Sequence, residues 1–121
     1  MKALYKAMAR RPTTLNKAPP YPVEQVLKRL GANLRTARLR RNLTIEAVAE
    51  KIGTGVRAIV AAERGRPGTG GAVYFALLWA YDLLSQLENV ADPALDPEGL
   101  ARLAQRERAS TLGKDKLNND F

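Results

Sequence analysis

The stretch that most constrains the fold is LTIEAVAEKIGTGVRAIVAAERG, residues 43–65. Small and apolar residues recur there at helical spacing on both sides of a glycine; they are Ile45, Val48, Ala49, Ile52, Ile59 and Ala62. Gly53 interrupts the pattern and can adopt the left-handed conformation that a turn between helices needs. The stretch therefore predicts two short helices, over about 45–52 and 56–63, in a helix-turn-helix arrangement.

The composition places this unit in a small helical protein. A chain of 121 residues is about one domain, and its aromatic content of 6% with abundant Leu and Ala favours helices over sheet. Because Cys and His are absent, thiolate or imidazole metal sites, disulfides and the usual nucleophile–base pairs are excluded. We therefore expect no enzyme, no metal and no cofactor. The N-terminus has no continuous apolar stretch like that of a signal peptide, and the longest apolar run, residues 72–81, is about half a membrane span, so we expect a cytoplasmic protein.

The positive charge is concentrated at the front of the chain. The net charge is +8, and residues 1–42 carry most of the basic groups with Glu24 as their single acidic residue. Such a basic segment favours a polyanionic partner, although a basic surface can also serve solubility alone. Its position next to the helix-turn-helix pattern favours nucleic acid.

The chain divides into three predicted parts. Residues 1–22 are basic and rich in proline, which predicts a mobile arm that could follow DNA phosphates or enter a minor groove, or a leader without a role. Residues 23–92 form the predicted DNA-binding domain, which starts with a helix over 23–41. Its apolar stripe consists of Val23, Val26, Leu27, Leu30, Leu34 and Ala37. Residues 93–121 are predicted to form a C-terminal helix, over about 97–108, and a disordered tail.

The segment 72–84, AVYFALLWAYDLL, is apolar around most of a helix circumference. It predicts either a helix buried in the monomer or one that presents a partner surface, and its aromatic residues are Tyr74, Phe75, Trp79 and Tyr81. Leucine spacing predicts a further helix over 85–91. The glycine-rich connector at 66–71 lacks the preceding strand and the Lys-Ser/Thr pair of a nucleotide loop, so it is interpreted as a helix connection.

Residues 30–65, LGANLRTARLRRNLTIEAVAEKIGTGVRAIVAAERG, resemble the helix-turn-helix of the XRE/Cro type found in phage repressors and bacterial regulators. The resemblance implies an all-α, five-helix lambda-repressor-like domain over about 31–91, with a sixth C-terminal helix and mobile tails. The run at 77–110 is similar to HipB-type antitoxins. That similarity implies a homodimer that represses its own operon by binding double-stranded DNA and also binds a HipA-like kinase toxin. The alternative is an interaction scaffold or phage-type regulator with weak DNA binding and no toxin.

The resemblance also implies roles for individual residues. The base-reading positions map to Gly55, Val56, Arg57, Val60 and Ala61. Among them Arg57 alone offers donors to a base edge, whereas Val56, Val60 and Ala61 can only touch a thymine methyl group. Phosphate contacts are expected from Thr54 and Gly55 at a helix N-terminus and from Arg35, Arg40, Arg41, Lys51, Arg64 and Arg66. Arg38 is expected to form a structural ion pair with Glu63, and Tyr74, Trp79 and Phe121 are expected to bind a partner.

Overall fold

A computed structural model describes the backbone of residues 14–119 and the side chains of residues 14–113, and every regular element in that part of the chain is helical. We number the α-helices α1 (Thr14–Lys17), α2 (Tyr21–Arg40), α3 (Ile45–Ile52), α4 (Val56–Glu63), α5 (Gly71–Ala80) and α6 (Pro97–Asn119). Short 3-10 helices cover Leu84–Leu87 and Pro93–Leu95. The expected all-α fold class is confirmed for the part of the chain that the structure describes. The chain separates into two compact units after Leu84.

The two central helices begin and end where the sequence predicts, because their boundaries depend on local signals. Thr44 caps α3, and its hydroxyl oxygen accepts a 3.1 Å hydrogen bond from the amide of Ala47. Gly53 ends α3 in the left-handed conformation, with φ of 76°, and its amide donates to the carbonyl of Ala49. The chain is extended at Gly55 and enters α4 from there. This turn fixes the crossing of α3 and α4.

The core of the first unit lies where the second half of α2 meets α3, α4 and α5. Its fully buried large side chains are Leu34, Val48, Ile59, Leu77 and Tyr81. The backbones of α2 and α4 approach so closely that a Cβ atom at Gly31 would lie 2.5 Å from the carbonyl oxygen of Ala62. Gly65 has a φ of 66°, and a Cβ atom there would lie 2.6 Å from the carbonyl oxygen of Leu27. Two glycines therefore permit this packing.

The N-terminal part differs from the prediction. Helix α2 begins at Tyr21, before the expected start, because Pro20 and Pro22 occupy the cap and first turn, where a helix does not need their missing amide hydrogens. Helix α1 forms within the segment that was predicted to be a mobile arm, whose residues 1–13 lie outside the described residues. Val23 and Val26 are exposed, so the predicted apolar stripe is buried only farther along α2.

The C-terminal half also corrects two predictions. No α-helix forms over 85–91: Asp82, with a φ of 58°, ends the helical path after α5, and Ala91 has the same left-handed φ. In the second unit, Asp96 caps α6, and its carboxylate accepts a 3.0 Å hydrogen bond from the amide of Gly99. Helix α6 then continues to Asn119 instead of ending near Arg108, because no proline interrupts that stretch. The predicted disordered tail is therefore helical as far as Asn119.

Candidate nucleic-acid interface

One face of helix α4 packs against the core, and the other is exposed to solvent. Ile59 and Ala62 are fully buried against the core. Val56 and Arg57 are exposed, and Val60 and Ala61 are partly exposed, so the predicted base-reading side chains lie on accessible parts of the helix. An eight-residue helix fixed in this way can enter a groove without losing its packing.

The N-terminus of α4 supplies fewer phosphate donors than the sequence suggests. The amide of Thr54 donates a 3.0 Å hydrogen bond to the carbonyl of Ala49, so it is occupied within the turn. The amides of Gly55 and Val56 remain the candidates, because the first amides of a helix have no acceptor within it.

Arg38 and Glu63 form a bidentate ion pair that joins α2 to the end of α4. The Nε of Arg38 donates to one carboxylate oxygen of Glu63 at 2.8 Å, and its Nη2 donates to the other at 3.0 Å. Its Nη1 donates to the carbonyl of Leu43 at 2.9 Å, which also fixes the loop before α3. The side chains of the pair are only 9% and 7% exposed, and the hydrogen bond to Glu63 raises the pKa of the Arg38 guanidinium. The structure thus brings together the two residues that the resemblance pairs.

Two concavities lie on either side of α4 and gather most of the predicted phosphate-binding arginines. One, which we call the ion-pair groove, is lined by Arg35, Arg38, Ile45, Val60, Glu63 and Arg64. The other, which we call the connector concavity, is lined by Asn16, Arg57, Ala58, Ala61, Arg66, Pro67, Gly68, Thr69, Gly70 and Val73. Basic side chains therefore flank the exposed face of α4, and Arg40 adds an exposed guanidinium at the end of α2.

Arg41 and Lys51, two of the expected phosphate contacts, are exposed and also have intramolecular partners. Arg41 donates to the carbonyl of Ala37 at 3.0 Å and to that of Tyr81 at 2.8 Å, and its guanidinium lies 5.6 Å from the centroid of the Tyr81 ring. Lys51 donates to the carbonyl of Ala80 at 3.5 Å, and its ammonium lies 5.7 Å from the centroid of the Trp79 ring. Both cations satisfy carbonyls at the C-terminal end of α5, where positive charge is favourable.

The aromatic residues of α5 and of its C-cap, Tyr81, separate into a buried and an exposed pair. Tyr74 is 6% exposed, and its hydroxyl donates to the carbonyl of Arg66 at 3.5 Å. Its burial leaves it little surface for the partner contact that the resemblance implies, because it packs into the core together with Tyr81. Phe75 and Trp79 are 55% and 54% exposed one helical turn apart, so they form the aromatic surface of α5. Phe121, the other predicted anchor, lies outside the described residues.

Tyr81 provides a prediction about stability. Its side chain is fully buried, its hydroxyl has no hydrogen-bond partner in the described part of the chain, and burial raises its pKa above the ordinary 10.0. Replacing it with phenylalanine should leave the free energy of unfolding at pH 7 unchanged or raise it by up to about 1 kcal/mol, because no hydrogen bond is lost. Urea denaturation measures this change, and Tyr74→Phe, which removes a partnered hydroxyl, is the matched control.

The same substitution should change the response to alkaline pH. Because the folded state holds the Tyr81 proton more tightly than the unfolded state, this group leaves stability intact below pH 10 and reduces it as pH rises above 10. Tyr81→Phe should therefore lose less stability than the wild type between pH 9 and pH 11. An equal loss in both proteins, or marked destabilisation of the variant at pH 7, would contradict the burial of an unpaired hydroxyl.

Comparison with known families agrees with this geometry. Residues 34–78 match the family model described as helix-turn-helix, a range that runs from the second half of α2 into α5. No curated protein and no solved structure matches the chain significantly. The match and the all-helical structure support the expected lambda-repressor-like helix-turn-helix fold. In the described part of the chain, no helix is both long and apolar enough to cross a membrane.

Proposed function

We propose that this protein is a transcriptional repressor that binds operator DNA as a homodimer, with α4 in the major groove and Arg57 as its main base-reading residue. The observation that carries the proposal is that Arg57 is exposed on α4. The buried residues Ile59 and Ala62 and the Arg38–Glu63 pair hold that helix in place. An accessible arginine on a rigid helix can recognise a guanine, because the O6 and N7 atoms of the base accept two hydrogen bonds from one guanidinium. Two copies would read half-sites about one helical turn apart.

The charges around α4 support the binding of the DNA backbone. Arg35 and Arg64 line the ion-pair groove, Arg66 lines the connector concavity, and Arg40 is exposed at the end of α2. Such contacts position a protein on DNA without reading sequence. Since Val56, Val60 and Ala61 can supply only apolar contacts to bases, discrimination between sequences rests on Arg57.

Binding to the DNA upstream of its own gene, compared with random DNA at two salt concentrations, tests the repressor proposal. The wild type should protect a paired half-site sequence. Arg57→Ala should weaken binding to this site by about 1–3 kcal/mol, or roughly 5- to 150-fold, and bind random DNA almost as well as before. The control is Arg40→Ala, which should weaken both DNAs to a similar extent and lower the salt dependence. Equal affinity of the wild type for both DNAs would refute base readout.

We further propose that the protein acts as the antitoxin of a HipA-like kinase, with the aromatic surface of α5 contributing to the contact. The resemblance of residues 77–110 motivates this role, and the exposure of Phe75 and Trp79 supports it, because exposed aromatic pairs are typical of interface anchors. If a HipA-like kinase is encoded beside this gene, the co-expressed proteins should form a complex that Trp79→Ala weakens. A complex unaffected by Trp79→Ala, or a neighbouring gene of another kind, would contradict the proposal.

The alternative function is an interaction scaffold that binds DNA only weakly and without sequence preference. It draws support from the apolar character of Val56, Val60 and Ala61. The salt-dependent comparison above separates the two functions, because a scaffold would show no preference for its own upstream DNA and no selective loss in Arg57→Ala.

A further inference from the structure

The lining of the connector concavity combines apolar side chains with cationic ones. Ala58 and Ala61 of α4, Pro67 of the connector and Val73 of α5 supply the apolar groups. The charged groups are the guanidinium groups of Arg57 and Arg66, and Asn16 of α1 adds an amide. Among the described residues that line it, none is acidic. Its chemistry therefore complements a ligand that has an apolar body and a negative charge.

The connector adds further hydrogen-bonding groups to this concavity. Gly70 is the N-cap of the ten-residue helix α5 and has no side chain to satisfy the first amides of that helix. A bound anion could accept hydrogen bonds from these amides as well as from the two arginines.

We propose that the connector concavity binds a small phosphorylated molecule with an apolar body, whose phosphate group pairs with Arg57 and Arg66. Because Arg57 is also the proposed base-reading residue, an occupant would compete with operator DNA, and this competition rests on the proposed repressor function. The same phosphate chemistry is available from the DNA backbone. The experiment must therefore distinguish a free ligand from a backbone phosphate.

The first arm of the test uses the full chain without DNA. Phenyl phosphate is titrated against the isotope-labelled protein at constant ionic strength, and the amide signals of Gly68 and Gly70 are followed by NMR. We expect saturable shifts, with at least fivefold tighter binding than inorganic phosphate because the ring covers apolar surface. Arg66→Ala should abolish the shifts. The matched control Arg64→Ala, whose side chain lines the ion-pair groove instead, should retain them.

Three results of this arm would overturn the ligand site: shifts that do not saturate, phenyl phosphate that binds no better than inorganic phosphate, or shifts that persist in Arg66→Ala. Since no DNA is present, none of these results bears on the repressor function. A separate DNA-binding measurement identifies the source of the phosphate. If phenyl phosphate does not bind saturably, but Arg66→Ala lowers by about one the slope of log affinity for DNA against log salt concentration, then Arg66 contacts a phosphate of the DNA backbone. The small-ligand proposal would then be wrong.

The second arm measures competition. Phenyl phosphate should raise the Kd for operator DNA in a saturable way, whereas sodium chloride at equal ionic strength should not reproduce the saturation. An unchanged Kd at phenyl phosphate concentrations that saturate the NMR shifts would overturn the competition. Failure of the untreated protein to prefer its operator would instead overturn the repressor function and leave the first arm intact.

Discussion

Replacing Arg38 with alanine is expected to lower the free energy of unfolding by about 3–5 kcal/mol. The change removes both hydrogen bonds to the Glu63 carboxylate and the hydrogen bond to the carbonyl of Leu43. The Glu63 side chain, only 7% exposed, would be left as an uncompensated charge in the interior. Urea denaturation at pH 7 measures the loss, and a lower melting temperature should accompany it.

An exposed ion pair on the same helix provides the control. Lys28 and Glu24 are 2.9 Å apart with side chains 58% and 39% exposed, so Lys28→Ala should cost no more than about 0.5 kcal/mol. Replacing Arg38 and Glu63 together with Met and Leu should recover much of the stability, because it removes the buried charge as well as its partner. If Arg38→Ala costs no more than Lys28→Ala, the pair does not brace the domain.

The elements that could be predicted from the sequence are those whose causes are local. Thr44 and Gly53 mark the ends of α3 through a side-chain cap and a left-handed turn, and both signals lie directly next to the helix they delimit. The exposed position of Arg57 follows from the helical spacing of Ile59 and Ala62, which fixes the buried face of α4.

The sequence does not show contacts that a residue makes with a distant part of the chain. Arg41 reads as a free charge in the sequence, but its partner, the carbonyl of Tyr81, is 40 positions away. Tyr74 belongs to a helix that is apolar on nearly every side, so its spacing did not show which face is buried. Gly31 gave no signal that α4 would pass beside it. Beyond α5, leucine spacing suggested a helix that the left-handed turn at Asp82 prevents.

Replacing each of four glycines with alanine should distinguish the loss of stability caused by a backbone clash from the loss caused by left-handed backbone strain. Alanine normally stabilises a helix interior by about 1 kcal/mol relative to glycine, yet Gly31→Ala should destabilise by about 1–3 kcal/mol because its Cβ meets the backbone of α4. Gly65→Ala should cost more, about 2–4 kcal/mol, because it adds left-handed strain to a backbone clash at Leu27. Urea denaturation measures all four variants.

Gly53 and Gly55 are the matched controls, because a Cβ atom at either position would have open space around it. Gly53→Ala should cost about 1–2 kcal/mol, since its φ of 76° carries strain without a clash. Gly55→Ala should be close to neutral, since its φ of −80° suits any residue. Equal stability of Gly31→Ala and Gly55→Ala would contradict the close approach of α2 and α4. The destabilised Gly31→Ala protein should also lose affinity for DNA, because the same approach positions α4 and therefore Arg57.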